Sequence, residues 1–487
     1  MGVNKEKFLG GLLWRFLERC GAQGVTFIVS IVLARLLDPA MYGTIALITV
    51  FTSILQVFVD SGLGNALIQK KDADDLDFSS VFYFNLVLCL LLYSLMFFSA
   101  PLIAKFYNDL TLTPLIRVLS LVLIISGVKN IQQAYVSRHL LFRRFFFATL
   151  GGTIGAAVIG IYMAWKGFGV WALVVQNLFN MTVDTIILWL TVKWRPKMMF
   201  SWERLKSLLS YGWKILMAKL IDTVYNDLRS LIIGKMYTSK DLAFYNRGKQ
   251  FPRVVVTNIN TSIDSVLFPT LSSQQDKVAN VKSITRRAIT ISTYIMMPIM
   301  MGIAVCAEPL VHIVLTDKWL PVVPFMRVFC FNYAFYPIHT ANLNAIKAMG
   351  RSDLFLKLEI QKKIVGLVAM LATMWISVEA MAYSLLFTTI ISQLINSHPN
   401  KELLNYRYLE QIKDMLPQIC LSCVMGVVVF MLSFLPLQAW IILLIQIVVG
   451  FVVYLVGSII MKIESFNYIL NLTKSLGKHL NSQRVSG

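Results

Sequence analysis

The feature that most constrains this chain is a succession of apolar stretches, each long enough to cross a bilayer. A helix needs about 20 consecutive, mainly apolar residues to span roughly 30 Å of hydrocarbon. About fourteen stretches meet that requirement, at residues 12–37, 42–63, 81–104, 115–135, 145–165, 170–192, 208–236, 242–271, 288–315, 322–348, 356–375, 380–396, 412–434 and 437–461. Backbone groups in lipid must be bonded within their own segment, so continuous runs of this length dictate helices; barrel strands would be short and alternating. The expected fold class is an all-α polytopic membrane protein. A chain that is 57% hydrophobic and 14% charged has too little polar surface for a soluble protein of this size. The first run is interrupted by Arg15, Glu18 and Arg19 and lacks a small-residue cleavage pattern, so it is expected to stay as a helix and not to be removed as a signal peptide.

The net charge of +20 could point to nucleic acid, and the distribution of Lys and Arg argues otherwise. With a cytoplasmic N-terminus, 28 of the 45 Lys and Arg residues fall in cytoplasmic segments or at span ends counted with them, and five on the opposite side. That is the positive-inside pattern of a multi-pass membrane protein with both termini cytoplasmic. Topology and contact with anionic membrane lipids account for most of the charge, and no nucleic-acid partner is expected. The twelve remaining cations lie within the spans, where each costs a few kcal/mol unless it snorkels or faces a polar cavity. Arg35, Arg117, Arg229 and Arg327 lie near span ends and suit snorkelling. Arg15, Arg19, Lys214, Lys219, Arg247 and Arg253 cluster in the first, seventh and eighth spans and suit a cationic, substrate-binding cavity.

The chain also matches itself weakly at long offsets. Trp14-Arg15 answers Trp213-Lys214, Asp60-Ser61-Gly62-Leu63 answers Asp264-Ser265-Val266-Leu267, and Arg117-Val118-Leu119 answers Arg327-Val328-Phe329. The offsets are 199, 204 and 210, in order and at corresponding places in the span count. A repeat of six helices returns the chain to its starting side, so the halves are parallel. The expected organisation is an N-terminal lobe over 1–192, a cytoplasmic linker over 193–207, a C-terminal lobe over 208–398, and two further helices with a cytoplasmic tail over 399–487. The linker, with Trp194-Arg195-Pro196-Lys197 and Trp202-Glu203-Arg204, reads as an amphipathic interfacial piece. The first, seventh and eighth spans are expected to line the cleft between lobes.

Acidic residues in the same spans leave two readings open. Glu18 and Asp222 could bind a coupling ion, H+ or Na+, or could neutralise Arg15 and Lys219 at helical spacing. Asp60 and Asp264 are either helix-end tethers or a gate. No metal or other cofactor is expected. Cys420 and Cys423 form a CxxC inside an apolar run, where small-residue packing outweighs redox or metal chemistry. No Walker A or HExxH sequence is present, and His139, His312, His339, His398 and His479 are scattered. The expected outer loops are too short to carry the acid and base groups of a membrane polymerase or ligase, so the chain reads as a transporter and not an enzyme.

Several stretches carry a family resemblance: Leu33-Ala34-Arg35-Leu36-Leu37-Asp38 with Tyr42-Gly43, Asp60-Ser61-Gly62-Leu63-Gly64 leading into Ile68-Gln69-Lys70, Tyr245-Asn246 followed by Val266-Leu267-Phe268-Pro269, and Asp317-Lys318-Trp319. Through these the chain resembles the Wzx-type lipid-linked oligosaccharide flippases of the polysaccharide transporter family, within the multidrug, oligosaccharidyl-lipid and polysaccharide exporter (MOP) superfamily, and looks most like the colanic-acid-type exporters. The resemblance implies two pseudo-symmetric bundles that alternate access for an undecaprenyl-pyrophosphate-linked oligosaccharide in the bacterial inner membrane, with the polymerase and export machinery of surface polysaccharide synthesis as expected partners. The rival within the superfamily is a small-molecule or multidrug antiporter, whose cavity is expected to be acidic where this one is basic.

Overall fold

In a computed structural model, residues 5–60, 62–70, 72–139 and 141–471 are described, with the side chains of residues 5–20, Asn65, Gln69, Phe142, Tyr211 and Lys214 excepted. The described residues are helical throughout their regular structure. The first elements are α1 (Lys5–Leu36), α2 (Pro39–Asp60), α3 (Leu63–Gln69), α4 (Asp75–Phe106), α5 (Leu112–Leu119), α6 (Leu121–Arg138), α7 (Phe142–Trp165), α8 (Val170–Thr191) and α9 (Trp202–Met236). They continue as α10 (Ser239–Ser272), α11 (Val278–Val305), α12 (Ala307–Leu315), α13 (Val322–Ala334), α14 (Tyr336–Ala348), α15 (Ser352–Thr373), α16 (Val378–Ser397), α17 (Asn400–Leu403), α18 (Tyr408–Met431) and α19 (Ala439–Ile460).

Every stretch expected to span the membrane falls on one of these helices or on a consecutive pair. Three expected spans are broken: α5 from α6 at Ser120, α11 from α12 at Cys306, and α13 from α14 at Phe335. At the last break Pro337 sits in the first turn of α14, where its missing N–H costs no hydrogen bond. Among the described residues, nine helical segments are long and apolar enough to cross a membrane. Of the other five expected spans, the first is represented among the described residues by the shorter apolar helix Gly21–Leu36, and the remaining four fall short for visible reasons. α9 and α10 carry many polar side chains, α13 and α14 are 13 residues each, and α15 holds Lys357, Glu359, Lys362 and Lys363. The protein is a multi-pass membrane protein. Its long helices turn large apolar side chains outward, Leu190 at 78% exposure, Phe98 at 76% and Ile460 at 74% among them, a surface that lipid solvates and water does not.

By packing, the chain falls into two compact units, one up to Ala243 and one from Phe244 onward. The first unit therefore includes α9, which packs on α2, α3 and α4. These units are defined by contacts and the expected lobes by the repeat, so their boundaries need not coincide. In the first unit α7 lies between α1 and α8, and α4 packs on α6. There α6 comes so close that a Cβ on Gly127 would collide with Cys89. In the second unit α11 is the central element, touching α13, α14 and α18, while α19 packs on α18 and α12. Tyr454 Oη donates to the Tyr294 carbonyl at 2.8 Å, tying α19 to α11 through a buried aromatic pair.

The repeat noticed in sequence has counterparts in contacts. In the first unit Arg117 Nε donates to the Phe97 carbonyl of α4 at 3.2 Å, and in the second Arg327 Nε donates to the Ala304 carbonyl of α11 at 3.2 Å. These two arginines thus satisfy a backbone carbonyl of the preceding expected span, a partner that snorkelling does not supply. Likewise Asn130 Nδ2 donates to Asp60 Oδ1 at 3.3 Å, and Asn344 Nδ2 to Asp264 Oδ1 at 2.6 Å.

Candidate functional site

The residues singled out by charge lie mainly on α9 and α10. α9 begins where Ser201 Oγ accepts from the Arg204 N–H at 3.4 Å, an N-cap that satisfies an otherwise orphaned donor. At about 1.5 Å per residue its 35 residues extend for about 50 Å, more than the hydrocarbon thickness. It is anchored at its start by a clasp within the first unit. The Lys197 N–H donates to Ser79 Oγ at 3.0 Å and the Ser201 N–H to Ser80 Oγ at 2.9 Å. Trp194 Nε1 donates to Asp75 Oδ1 at 3.1 Å, and Lys197 Nζ pairs with Asp75 at 2.6 Å. The linker expected to lie in the interface thus turns Trp194 inward, buried against Phe78, and leaves Trp202 exposed. Asp77, fully buried at the start of α4, accepts from Lys70 Nζ at 2.7 Å through both oxygens and faces Arg204 at 3.5 Å. Its neighbour Asp74 caps α4, and the Asp77 N–H it accepts holds its carboxyl below the usual aspartate range.

Farther along α9, Lys219 is half exposed and its Nζ lies 2.5 Å from Asp60 Oδ2 at the end of α2. This corrects the local pairing considered for Lys219 and Asp222: the partner is 159 residues away in sequence, while Asp222 accepts from Asn226 Nδ2 at 3.2 Å. Asp60 also accepts from Gln56 Nε2 at 3.1 Å, which places three donors on one carboxylate. About two turns beyond Lys219, Asp227 accepts from Ser53 Oγ at 2.7 Å.

On α10, Arg247 is buried, its guanidinium lies 5.5 Å from the centre of the Trp319 ring, and its Nη1 donates to Gln250 Oε1 at 2.7 Å. Arg253, six residues on, is exposed. Asp264 near the end of α10 is exposed and held by Asn344. Lys214 lies on α9, and Arg15, Glu18 and Arg19 lie on α1; the side chains of these four are outside the described residues. The structure therefore brings Lys219 and Asp60 together, places Arg247 and Arg253 on one helix, and leaves the α1 cluster undescribed.

A second charged pair escaped the reading from sequence. Lys129 Nζ of α6 pairs with Asp184 of α8, both side chains about nine-tenths buried. Gly152 of α7 makes room for it: a Cβ there would lie 2.8 Å from the Asn180 carbonyl and 3.3 Å from Asp184 Cβ. Asp184 is the one acidic residue in its apolar run, a signal that was available alongside Lys129, one of the twelve cations within the spans.

Comparison with known proteins fits this architecture. A family described as polysaccharide biosynthesis protein matches residues 32–324. Over 308 residues the chain is 24% identical to the teichuronic acid biosynthesis protein TuaB of Bacillus subtilis (strain 168), covering 62% of this chain and 63% of that one. Over 318 residues it is 22% identical to the succinoglycan biosynthesis transport protein ExoT of Rhizobium meliloti (strain 1021), covering 65% and 64%. The matched region thus spans a little under two thirds of the length of these two relatives. Among solved structures, the lipid II flippase MurJ in an inward closed conformation superposes with a TM-score of 0.75 at 15% identity, over 93% of this chain and 98% of that one. That likeness shows the fold.

Proposed function

The chain belongs to the polysaccharide biosynthesis protein family, and from that premise we propose that it flips an undecaprenyl-pyrophosphate-linked oligosaccharide across the bacterial cytoplasmic membrane for surface polysaccharide synthesis. The observation that carries this reading is the basic set on two helices of a polytopic, otherwise apolar chain: Lys219 with Lys214 on α9, and Arg247 with Arg253 on α10. Cations within spans cost free energy unless they serve an anion or a polar path, and Arg and Lys contact phosphate while staying charged near neutral pH. Arg15 and Arg19 on α1 join this set in the proposal. The sugars travel with the pyrophosphate while the prenyl chain stays in lipid.

The named relatives in teichuronic acid and succinoglycan synthesis support a glycan cargo, and the lipid II flippase supports a lipid-linked one. The family match favours this reading over a multidrug antiporter of the same fold. Transport by alternating access, with two parallel six-helix repeats followed by two further helices, is part of the proposal. So is coupling to a proton or sodium gradient through Glu18 or Asp222. The excess of Lys and Arg on one side supports an inner-membrane location with both termini cytoplasmic, where a polymerase and export machinery would take up the product.

The test is reconstitution into vesicles with a fluorescent lipid-pyrophosphate oligosaccharide, comparing the native chain with Arg15→Ala, Lys214→Ala and Arg247→Ala. Each variant is expected to slow flipping at least tenfold, the effect of losing about 1.4 kcal/mol of interaction in the rate-limiting state. Normal flipping in all three would overturn the cationic binding site. Imposing and collapsing proton and sodium gradients in the same vesicles identifies the coupling ion, and a rate indifferent to both would refute gradient coupling.

A further inference from the structure

The pairing of Lys219 with Asp60 lies on a seam that runs the length of two helices in the first unit. α2 and the chain from α9 into α10 run antiparallel. A Cβ on Gly43 would overlap the Ser239 carbonyl, and one on Gly234 would overlap Leu47. Ser53 donates to Asp227, Asp60 meets Lys219, and just past α2 a Cβ on Gly62 would lie 2.8 Å from the Gly212 carbonyl. Two of these contacts, at Gly43 and Gly62, are close approaches of one backbone to another. The Asp60–Lys219 bridge is made by two side-chain tips that are respectively 36% and 51% exposed, so an arriving ligand can reach both.

Asp60 stands in an awkward place for a carboxylate. It is the last residue of α2, where the helix dipole presents its negative end, so the charge there needs compensation. Lys219 supplies it, yet Gln56 and Asn130 also donate to the same carboxylate and stay in place if the lysine leaves. An ammonium on a flexible four-carbon stem, held by a carboxylate that has other donors in reserve, is suited to exchange partners.

We infer that Asp60 is a built-in stand-in for the cargo's pyrophosphate. It holds Lys219 when the protein is empty and yields it to a phosphate oxygen on loading, which unlinks α2 from α9 at this point. The exchange leaves neither group without a hydrogen-bond partner: Lys219 passes from one anion to another, and Asp60 keeps the Gln56 and Asn130 amides. Because the bridge joins two helices, its loss on loading gives cargo binding a direct effect on the α2–α9 seam. The inference rests on the proposal that the cargo is anionic.

The experiment measures binding of undecaprenyl pyrophosphate and of uncharged undecaprenol to the full chain in nanodiscs. Asp60→Asn keeps an oxygen for Gln56 and Asn130 but removes the competing charge, and is expected to bind the pyrophosphate lipid about fivefold more tightly, the worth of a partly exposed ion pair. Lys219→Gln is expected to bind it more weakly, and the double variant Asp60→Asn/Lys219→Gln to match Lys219→Gln alone. Asp60→Glu retains the charge and serves as the control for folding and for shape, with affinity near the native value. If the native chain prefers the pyrophosphate lipid but Asp60→Asn binds it no more tightly, or if Asp60→Glu tightens binding as Asp60→Asn does, the stand-in is overturned and the cargo reading stands. If the native chain does not distinguish the two lipids, the cargo reading fails and the stand-in with it.

Discussion

Replacing Asp184 by Leu should be among the most damaging single changes outside the proposed binding set, and a second change should largely repair it. Lys129 and Asp184 are 11% and 10% exposed, so solvent screens them little, and Asp184 Oδ1 has no hydrogen-bond partner among the described residues. Removing the carboxylate strands a buried ammonium whose other contact is the Met181 sulfur at 3.9 Å. Breaking such a pair from one side costs about 3–5 kcal/mol, while replacing both partners by apolar residues of similar size is often neutral or stabilising. Asp184→Leu and Lys129→Met are each expected to lose about 3–5 kcal/mol, and the double variant to return within about 1 kcal/mol of the native chain. Reversible unfolding of the purified chain in detergent, followed by tryptophan fluorescence, gives the four corners of the cycle. Single variants within about 1 kcal/mol of native, or a double variant as damaged as the sum of the two, would refute the argument that this pair is held by mutual neutralisation in a dry site.

Two further outcomes follow from local geometry. Gly62 has φ 68° and its hypothetical Cβ lies 2.8 Å from the Gly212 carbonyl, so Gly62→Ala should cost about 1–3 kcal/mol in the same unfolding measurement; no loss would show that the close approach yields freely. Asp74→Ala removes the N-cap of α4 and should cost about 1 kcal/mol near neutral pH. Because the folded-state pKa of Asp74 is depressed, its contribution is present above the unfolded value of about 3.9 and is lost as pH falls through the lower folded one. A pH-independent difference between native and variant across that acid range would contradict this.

The helices were legible because the bilayer imposes a length that few other constraints imitate, and each apolar run from 12–37 to 437–461 falls on helical structure. Their interruptions were less so. Pro337 marks the break at Phe335 and Pro309, in the first turn of α12, marks the one at Cys306, whereas Ser120 lies in a run with no Gly or Pro to flag it. The matched arginines Arg117 and Arg327 showed where the halves repeat, though not that each would seek a carbonyl of the preceding span. Long-range charge pairing was hidden for a simple reason. Helical spacing ranks neighbours three and four residues away, so it offered Asp222 to Lys219, whereas tertiary packing delivered Asp60. Asp184 was visible as a solitary acid in an apolar run, but only the packing of α6 against α8 connects it to Lys129.

The proposed function turns on an anionic, lipid-borne glycan, and the most direct measurement is the initial flipping rate in vesicles of one fluorescent oligosaccharide carried on undecaprenyl pyrophosphate and, in parallel, on an uncharged prenyl linkage of the same length. Protein-dependent flipping of the pyrophosphate form, with the uncharged form no faster than in protein-free vesicles, is the predicted result. Equal protein-dependent rates for the two would contradict it.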